Sequence, residues 1–313
     1  MGPFTFVPVW VIEDAVTYIA TAAMIFYIIK REPRPVVTLM EMFALTVLYA
    51  AMYENLATYQ KWYGYGRSFI MVFNVPLSVP LFEFLFLYSA LKLFERTRVP
   101  TWLKPIGAGF LAVVADFTLD PVSVKQVFHT LEGTLARWTW YPQAGWVQIY
   151  QEPVKNFTGW MVIIGLGATF FLLGRWWHKK ANYSTVVGYL YPILGSIAAL
   201  LVLVTPLSSF LLNLWPFFPE GSAAEWVMLI VVLVVPPILF VIFWHGRMTD
   251  GYSIKGDFPL FFALGGFPIL NVLFTLIGGY TQILWLEIVF LVVMEAALAV
   301  IYVAGRRHQG RQT

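Results

Sequence analysis

Carboxylates interrupt several long apolar stretches of this 313-residue chain, and they are the side chains most able to do chemistry. On insertion scales an aspartate at the centre of a membrane helix costs about 2.5–3.5 kcal/mol, so such residues are rarely kept without a use. Asp116 and Asp120 are spaced i and i+4, which puts both on one helix face. The other carboxylates of this kind are Glu13, Asp14, Glu41, Glu54, Glu83, Glu287 and Glu295.

Several of these acids are expected to lie together in the outer half of a membrane. Their positions within the apolar stretches favour a group made of Glu13, Asp14, Glu54, Asp116 and Asp120. Like-charged carboxylates in a medium of low dielectric constant cannot all ionise, so a protonated acid would stand beside an ionised base. That pairing suits general acid–base catalysis. The alternative interpretation is that each acid binds a neighbouring polar side chain or lies at headgroup level.

The elements that position these acids are expected to be membrane-spanning helices. Hydrophobic residues make up 59% of the chain and charged residues only 12%. About 20 apolar residues cross the hydrocarbon core as a helix. On that basis the sequence predicts an all-α polytopic bundle in one integral domain, residues 1–313. Its nine spans are 9–29, 36–60, 68–94, 103–120, 157–177, 185–213, 223–244, 258–279 and 283–304.

Positive charges predict the orientation of this bundle. Fifteen of the 20 Lys and Arg residues fall in the connections on one side of the membrane. Since cytoplasmic loops carry the excess of Lys and Arg, the N-terminus is expected outside and the C-terminus in the cytoplasm, in a multi-pass protein of the cell membrane. Two spans contain helix breakers. The third has Asn74, Pro76 and Pro80, and the eighth has the 265–268 stretch with two glycines and a proline.

Composition removes several other chemistries. The chain has no cysteine, so disulfides, thiolate metal sites and cysteine nucleophiles are excluded. No lysine lies in the middle of a span, and the four histidines lie in loops or at helix ends, which excludes a Schiff-base chromophore, paired haem ligands and a histidine-rich iron site. No phosphate-binding glycine loop is present. We therefore expect neither a cofactor nor a metal, and no nucleic-acid partner.

The longest connection, residues 121–156, is unusually aromatic and lies on the predicted outer side. A connection longer than about 12–15 residues tends to be functional. It could form a re-entrant flap that lines the path of a long apolar substrate. Its aromatic residues could instead be an ordinary interfacial belt. The aromatic residues in question are Phe128, Trp138, Trp140, Tyr141, Trp146 and Tyr150.

Motifs in and around this connection resemble those of a known family. They are an Asp-Pro-Val at 120–122, a Trp-Thr-Trp at 138–140 and a block that runs from Tyr150 through Asn156-Phe157-Thr158-Gly159-Trp160. Together they resemble the membrane carotenoid-biosynthesis family, which includes the bacterioruberin-pathway and γ-carotene hydratases. The match is specific over residues 116–160. Gln151-Glu152 stands where that family usually has glycine and an aliphatic residue, and Val154 replaces leucine.

The resemblance implies a cofactor-independent hydratase that adds water to the terminal isoprenoid double bond of an acyclic carotenoid. It implies that Asp120 and Asp116 form the acid–base pair, with Glu54 or Glu13 as a third carboxylate. Asn156 and Tyr150 would position water. Residues expected to line the site for the end of the substrate are Trp138, Trp140, Trp160 and Glu83.

Two other classes of function fit the same residues. A proton-coupled transporter also needs acids and broken helices inside the membrane, although no inverted repeat is visible. A non-catalytic carotenoid- or lipid-binding subunit would agree with the altered Gln151-Glu152 block. The partners expected in each case are membrane lipid, a carotenoid or another long isoprenoid, and other enzymes of the carotenoid pathway.

Overall fold

The chain folds mainly into helices, as a computed structural model that describes residues 8–130, 133–141 and 145–309 shows. Two π-helical turns, Ala44–Ala50 and Phe262–Gly266, join α2 to α3 and α10 to α11 into continuous helices. The helices are α1 (Pro8–Arg31), α2 (Pro35–Phe43), α3 (Ala51–Tyr59), α4 (Ser78–Glu95), α5 (Leu103–Ser123), α6 (Val154–Lys180), α7 (Thr185–Leu203), α8 (Pro206–Asn213), α9 (Ala223–Trp244), α10 (Ile254–Phe261), α11 (Phe267–Gly278) and α12 (Thr281–Gln309).

Eight helices of the described part of the chain are long and apolar enough to cross a membrane. α4 is not among them, because its 18 residues include Glu83, Lys92 and Glu95. It nevertheless runs the length of the bundle beside α1. Ser78 at its start donates to Asp14, and Lys92 near its end pairs with Glu32. The predicted all-α polytopic bundle is therefore confirmed, with eight candidate membrane spans in the described residues and α4 as a further buried helix.

The observed helices differ from the predicted spans in several places, among them the third, sixth and fourth spans. Residues 68–77 are not helical, because Asn74 lies in the turn and Pro76 in the second strand of a tight hairpin just before α4. The sixth predicted span ends at Leu203, and Pro206 begins the separate helix α8, as proline often does at a first helical position. The fourth span continues past Asp120-Pro121 to Ser123.

Short antiparallel strands fill the two connections at the end of the bundle where α1 and α4 begin. β1 (Tyr63–Tyr65) pairs with β6 (Trp138–Trp140), which ties the α3–α4 connection to the α5–α6 connection. The other pairs are local hairpins: β2 (Met71–Val72) with β3 (Val75–Pro76), β4 (Val127–Thr130) with β5 (Gly133–Ala136), and β7 (Gln148–Ile149) with β8 (Glu152–Pro153).

α4 and α5 form the centre of the bundle. Nearly every side chain of both helices is buried, and α5 packs against α4, α6, α9, α11 and α12. A helix that is surrounded by other helices does not have to be apolar on every side, because protein groups can satisfy its polar side chains. This position explains how α5 carries Asp116 and Asp120 at membrane depth.

Candidate functional site

Asp116 and Asp120 lie one helical turn apart on the buried face of α5, both fully enclosed by protein. Asn156, in the first turn of α6, bridges them. Its side-chain amide donates to Asp120 Oδ2 over 2.6 Å and to Asp116 Oδ2 over 3.2 Å. The two carboxyl groups also lie within hydrogen-bonding reach of each other. Two carboxylates at this distance share a proton more readily than they both ionise.

The second oxygen of each carboxyl group is free to do chemistry. Asp116 Oδ1 and Asp120 Oδ1 are buried and have no hydrogen-bond partner in the described part of the chain. The Trp160 side chain, one turn after Asn156 on α6, lies within reach of Asp120. Phe117 stacks between Phe157 and Phe290 at ring-centroid distances of 4.0 and 3.9 Å. The pair is thus held in an apolar, aromatic surrounding.

Glu152 is a third carboxylate beside this pair, and sequence reasoning missed it. Its side chain is 0% exposed, and neither oxygen has a hydrogen-bond partner in the described residues. Burial raises the pKa of Glu152 well above its usual value; the Asp120 charge raises it further, and Lys125 opposes both. Glu152 also lies close enough to Asp116 for their charges to interact. Burial therefore favours the protonated form of Glu152.

The β7–β8 hairpin puts Glu152 in this position. Its two turn residues, Tyr150 and Gln151, have φ angles of 50° and 79°. A two-residue turn with both central φ angles positive normally contains asparagine or glycine, because other residues are strained there. The family usually has glycine and an aliphatic residue where this chain has Gln151 and Glu152. This difference was the only signal in the sequence that pointed to Glu152.

Glu54 and Glu83 form a second acidic pair next to the first. Glu54 on α3 accepts hydrogen bonds from the hydroxyls of Tyr63 over 2.9 Å and Tyr65 over 2.5 Å. Burial and the Glu54 carboxylate raise the pKa of both phenols, so they stay protonated and act as donors. Glu83 lies beside Glu54, and Glu54 in turn interacts electrostatically with Asp120. The two carboxylate pairs therefore belong to one acidic cluster.

Four aromatic rings form one wall of this acidic cluster, on the paired strands β1 and β6. Tyr63 contacts Trp140 and Trp138 at centroid distances of 4.6 and 5.5 Å, and Tyr65 contacts Trp138 at 5.1 Å. The Nε1 atoms of Trp138 and Trp140 are buried without a partner in the described residues. Aromatic ring faces together with unpaired indole N–H donors suit the binding of an apolar ligand that has polar ends.

Glu13 and Asp14 do not join the acidic cluster; they are held by Arg137. The guanidinium Nε lies 2.7 Å from Glu13 Oε2 and one terminal nitrogen lies 3.4 Å from Asp14 Oδ1. Gln126 donates to Glu13 over 2.8 Å, and the hydroxyls of Ser68 and Ser78 donate to Asp14. Glu13 is therefore bound in an ion pair outside the acidic cluster, and its role as a third catalytic carboxylate stays a prediction.

Tyr150, which was expected to position water, makes its side-chain hydrogen bond outside the acidic cluster. Its hydroxyl accepts a hydrogen bond from the Trp285 indole over 2.8 Å at the surface of α12. In the described part of the chain it makes no hydrogen bond to a carboxylate. Of the residues expected from sequence, the structure gathers Asp116, Asp120, Asn156 and Trp160 around one pair. Glu54, Glu83, Trp138 and Trp140 lie in the neighbouring part of the cluster.

A narrow cavity of about 60 Å³ leads towards these residues between the two connections. Glu13, Asp14 and Arg137 line one part of it, and Trp138 and Trp160 line another. A cavity of this size with some polar groups in its lining has room for a few water molecules. The cavity can therefore hold water next to Trp138 and Trp160.

The remaining intramembrane acids have separate surroundings. Glu41 forms a two-pronged ion pair with Arg175 at 2.7 and 2.6 Å, at the opposite end of the bundle, where Arg175 also binds Glu95. Glu287 accepts a hydrogen bond from Thr275, and Glu295 lies on α12. No group of three or more histidine, aspartate or glutamate side chains in the described residues is arranged to hold a metal ion.

Fold and site together define a polytopic helical membrane protein with a buried, amide-bridged carboxylate pair. The family model described as carotenoid biosynthesis protein matches residues 13–219, more than half of the chain. The chain belongs to this family and has a role in carotenoid biosynthesis. The matched region includes both carboxylate pairs, Asn156 and the aromatic wall. No curated protein and no solved structure matches the chain.

Proposed function

We propose that this protein is a carotenoid hydratase of the cell membrane, which adds water to the terminal isoprenoid double bond of an acyclic carotenoid. One observation carries the proposal. Two enclosed carboxyl groups, Asp116 and Asp120, are bridged by a single amide and each keeps one oxygen without a partner. An acid and a base side by side in an apolar site are what proton-dependent alkene hydration requires.

The proposed reaction needs one proton donor and one proton acceptor. The protonated member of the Asp116–Asp120 pair gives its proton to the CH carbon of the terminal double bond, and the electron pair of that bond forms the new C–H bond. A tertiary carbocation remains on the neighbouring carbon. Water adds to that carbon through its oxygen and then loses a proton to a carboxylate of the cluster. The sum is one alkene plus one water giving one tertiary alcohol.

Other residues of the cluster support this sequence. Asn156 holds the pair in register and stabilises whichever carboxylate is ionised, since hydrogen bonds to charged groups are stronger than those to neutral ones. Aromatic faces stabilise a nearby cation by about 0.5–2 kcal/mol each, a role that suits Trp138, Trp140 and Trp160. Glu152, whose protonated form is favoured by burial, is a further proton donor beside the pair. The substrate and membrane lipid are the expected partners, with other enzymes of the pathway.

The experiment that tests the proposal is mass spectrometry of pigments from a host that makes acyclic carotenoids. The wild-type gene should give a product heavier by one or two waters. Asp120→Asn should lower product by at least about 100-fold, the usual contribution of a general acid or base. Glu295→Gln makes the same chemical change at an intramembrane carboxylate outside the cluster and should leave product unchanged.

Three results would contradict the proposal. If the Asp120→Asn variant inserted into the membrane and still made as much hydrated product as wild type, Asp120 would have no part in the mechanism. Unchanged pigment that copurifies with wild-type protein, across a panel of acyclic carotenoids, would instead identify a binding subunit. Gradient-dependent movement of a solute without any product would identify a transporter.

A further inference from the structure

A large cavity lies at the opposite end of the bundle from the acidic cluster, where α9 and α12 end. Its volume is about 710 Å³. Arg98, Arg247 and Arg307 line it together with His245 and His308, and no acidic side chain is among its lining residues. The nearest acids along the chain are Glu95, which pairs with Lys92 and Arg175, and Asp250, which accepts a hydrogen bond from the backbone of Gly251. Neither lines the cavity, so its three arginines make the lining positive.

The backbone fixes two of these arginines side by side. The Arg98 amide donates to the Arg247 carbonyl over 2.9 Å, and the neighbouring residues Thr97 and Met248 form a bridge. The Trp244 indole donates to the same Arg247 carbonyl over 2.8 Å. These contacts hold the segment after α4 against the segment after α9. The side chains of Arg98 and Arg247 therefore leave the backbone at neighbouring positions.

The three arginines of this cavity have no acidic partner in the part of the chain that the structure describes. Within the described residues, the side chains of Arg98, Arg247 and Arg307 form no ion pair, and all three are exposed. The cationic groups at this end that are paired lie elsewhere, such as Arg175 with Glu41. Arginine presents a planar set of donors that matches the oxygens of a phosphate. An anion of that shape would complete the cavity.

An apolar wall continues from the arginines along α12 into the membrane. Val303 and Val300 lie one and two turns before Arg307 on the same helix and are 45% and 57% exposed. Ala299 and Ala304 complete the wall with small side chains. A ligand that bridges both parts needs an anionic head and a hydrocarbon tail.

We propose that this cavity binds an anionic phospholipid, with its phosphate on Arg98, Arg247 and Arg307 and an acyl chain along Val300 and Val303. Basic cavities between transmembrane helices on the cytoplasmic side are suited to such headgroups. The site lies far from the carboxylate cluster, and its existence does not depend on the hydratase proposal.

The test is native mass spectrometry of the full-length protein in neutral detergent, titrated with phosphatidylglycerol or with phosphatidylcholine. Wild-type protein should retain phosphatidylglycerol in preference to phosphatidylcholine. Changing Arg98, Arg247 and Arg307 together to glutamine should weaken that binding on the order of 100-fold, and Arg247→Gln alone should weaken it about fivefold. The single variant keeps the test valid where the triple variant does not fold.

The matched control removes three positive charges at the same end but outside the cavity. Lys179→Gln, Lys180→Gln and Arg306→Gln together should leave the preference for phosphatidylglycerol intact. An equal loss in the control and the cavity variants would overturn the proposal in favour of a general surface-charge effect. Displacement of the lipid by inorganic phosphate at equal concentration would overturn it in favour of a free-anion site.

Discussion

Glu152 shows how one buried side chain can make stability depend on pH. Burial raises its pKa in the folded protein above the usual value of 4.5. The folded state therefore keeps the proton at pH values where the unfolded chain has lost it. Stability from this site is complete below about pH 4.5 and falls as pH rises through the interval between the unfolded and the folded pKa.

Replacing Glu152 by glutamine should remove this pH dependence, because glutamine resembles the protonated acid and does not titrate. Relative to Glu152→Gln, the wild-type protein should lose up to about 1.4 kcal/mol of stability per pH unit above pH 4.5. Thermal unfolding in detergent between pH 4.5 and 8 measures this difference. Glu220→Gln, a change at an exposed carboxylate, is the control. Parallel curves for wild type and Glu152→Gln would contradict a raised pKa.

At the scale of residues, spacing along the chain predicts part of the site. The i, i+4 spacing of Asp116 and Asp120 puts them on one face, and they are adjacent in the structure. The surroundings of Glu13 depend on Arg137, which is 124 positions away, so no local pattern could show that this acid is paired. Glu152 was missed for a similar reason, since its burial comes from the packing of a hairpin against α5.

At the scale of elements, the β7–β8 hairpin combines strain with a position next to the acidic cluster. Gln151 has a φ of 79°, a conformation that costs a residue other than glycine about 1–2 kcal/mol. Gln151→Gly relieves this strain in the folded state but makes the unfolded chain more flexible, which costs part of the gain. The net effect should be to stabilise the protein by about 1 kcal/mol.

Thermal unfolding measures this change as well, and the same hairpin supplies its control. Gln148 lies in β7, is exposed, and has no positive φ. Gln148→Gly should therefore destabilise the protein by about 0.5–1 kcal/mol. If both glycine variants were destabilised equally, the turn at Gln151 would not be strained.

Long apolar runs predict the helices well, because about 20 such residues in hydrocarbon have few alternatives to helix. The first, fourth, seventh and last spans agree with α1, α5, α9 and α12 to within a few residues at most of their ends. The π-helical turn at Ala44–Ala50 has no comparable signal. The run from Phe69 to Val72 is apolar but lies in a hairpin, because Asn74 and Pro76 follow it closely.

At the scale of the whole molecule, the orientation in the membrane is open to a direct test. The chain has no cysteine, so a single introduced cysteine is the only thiol that a maleimide can label. Pro219→Cys lies in the exposed connection between α8 and α9, and Asn182→Cys lies in the exposed connection between α6 and α7. A membrane-impermeant maleimide on intact cells should label the first and spare the second.

Permeabilised cells provide the control, since both cysteines should then react. Labelling of Asn182→Cys alone in intact cells would reverse the orientation that the positive charges predict. It would also place the carboxylate cluster in the cytoplasmic half of the membrane.

The central helix α4 has a consequence for how the protein is made. Its 18 residues carry three ionisable side chains, and it is buried by its neighbours. As a lone segment leaving the ribosome it is a poor candidate for transfer into lipid, since each ionisable group near the centre adds about 2.5–3.5 kcal/mol to the insertion free energy. We therefore expect its entry into the bilayer to depend on partners such as α1 and α5, so that the helices of this bundle insert cooperatively and not one by one.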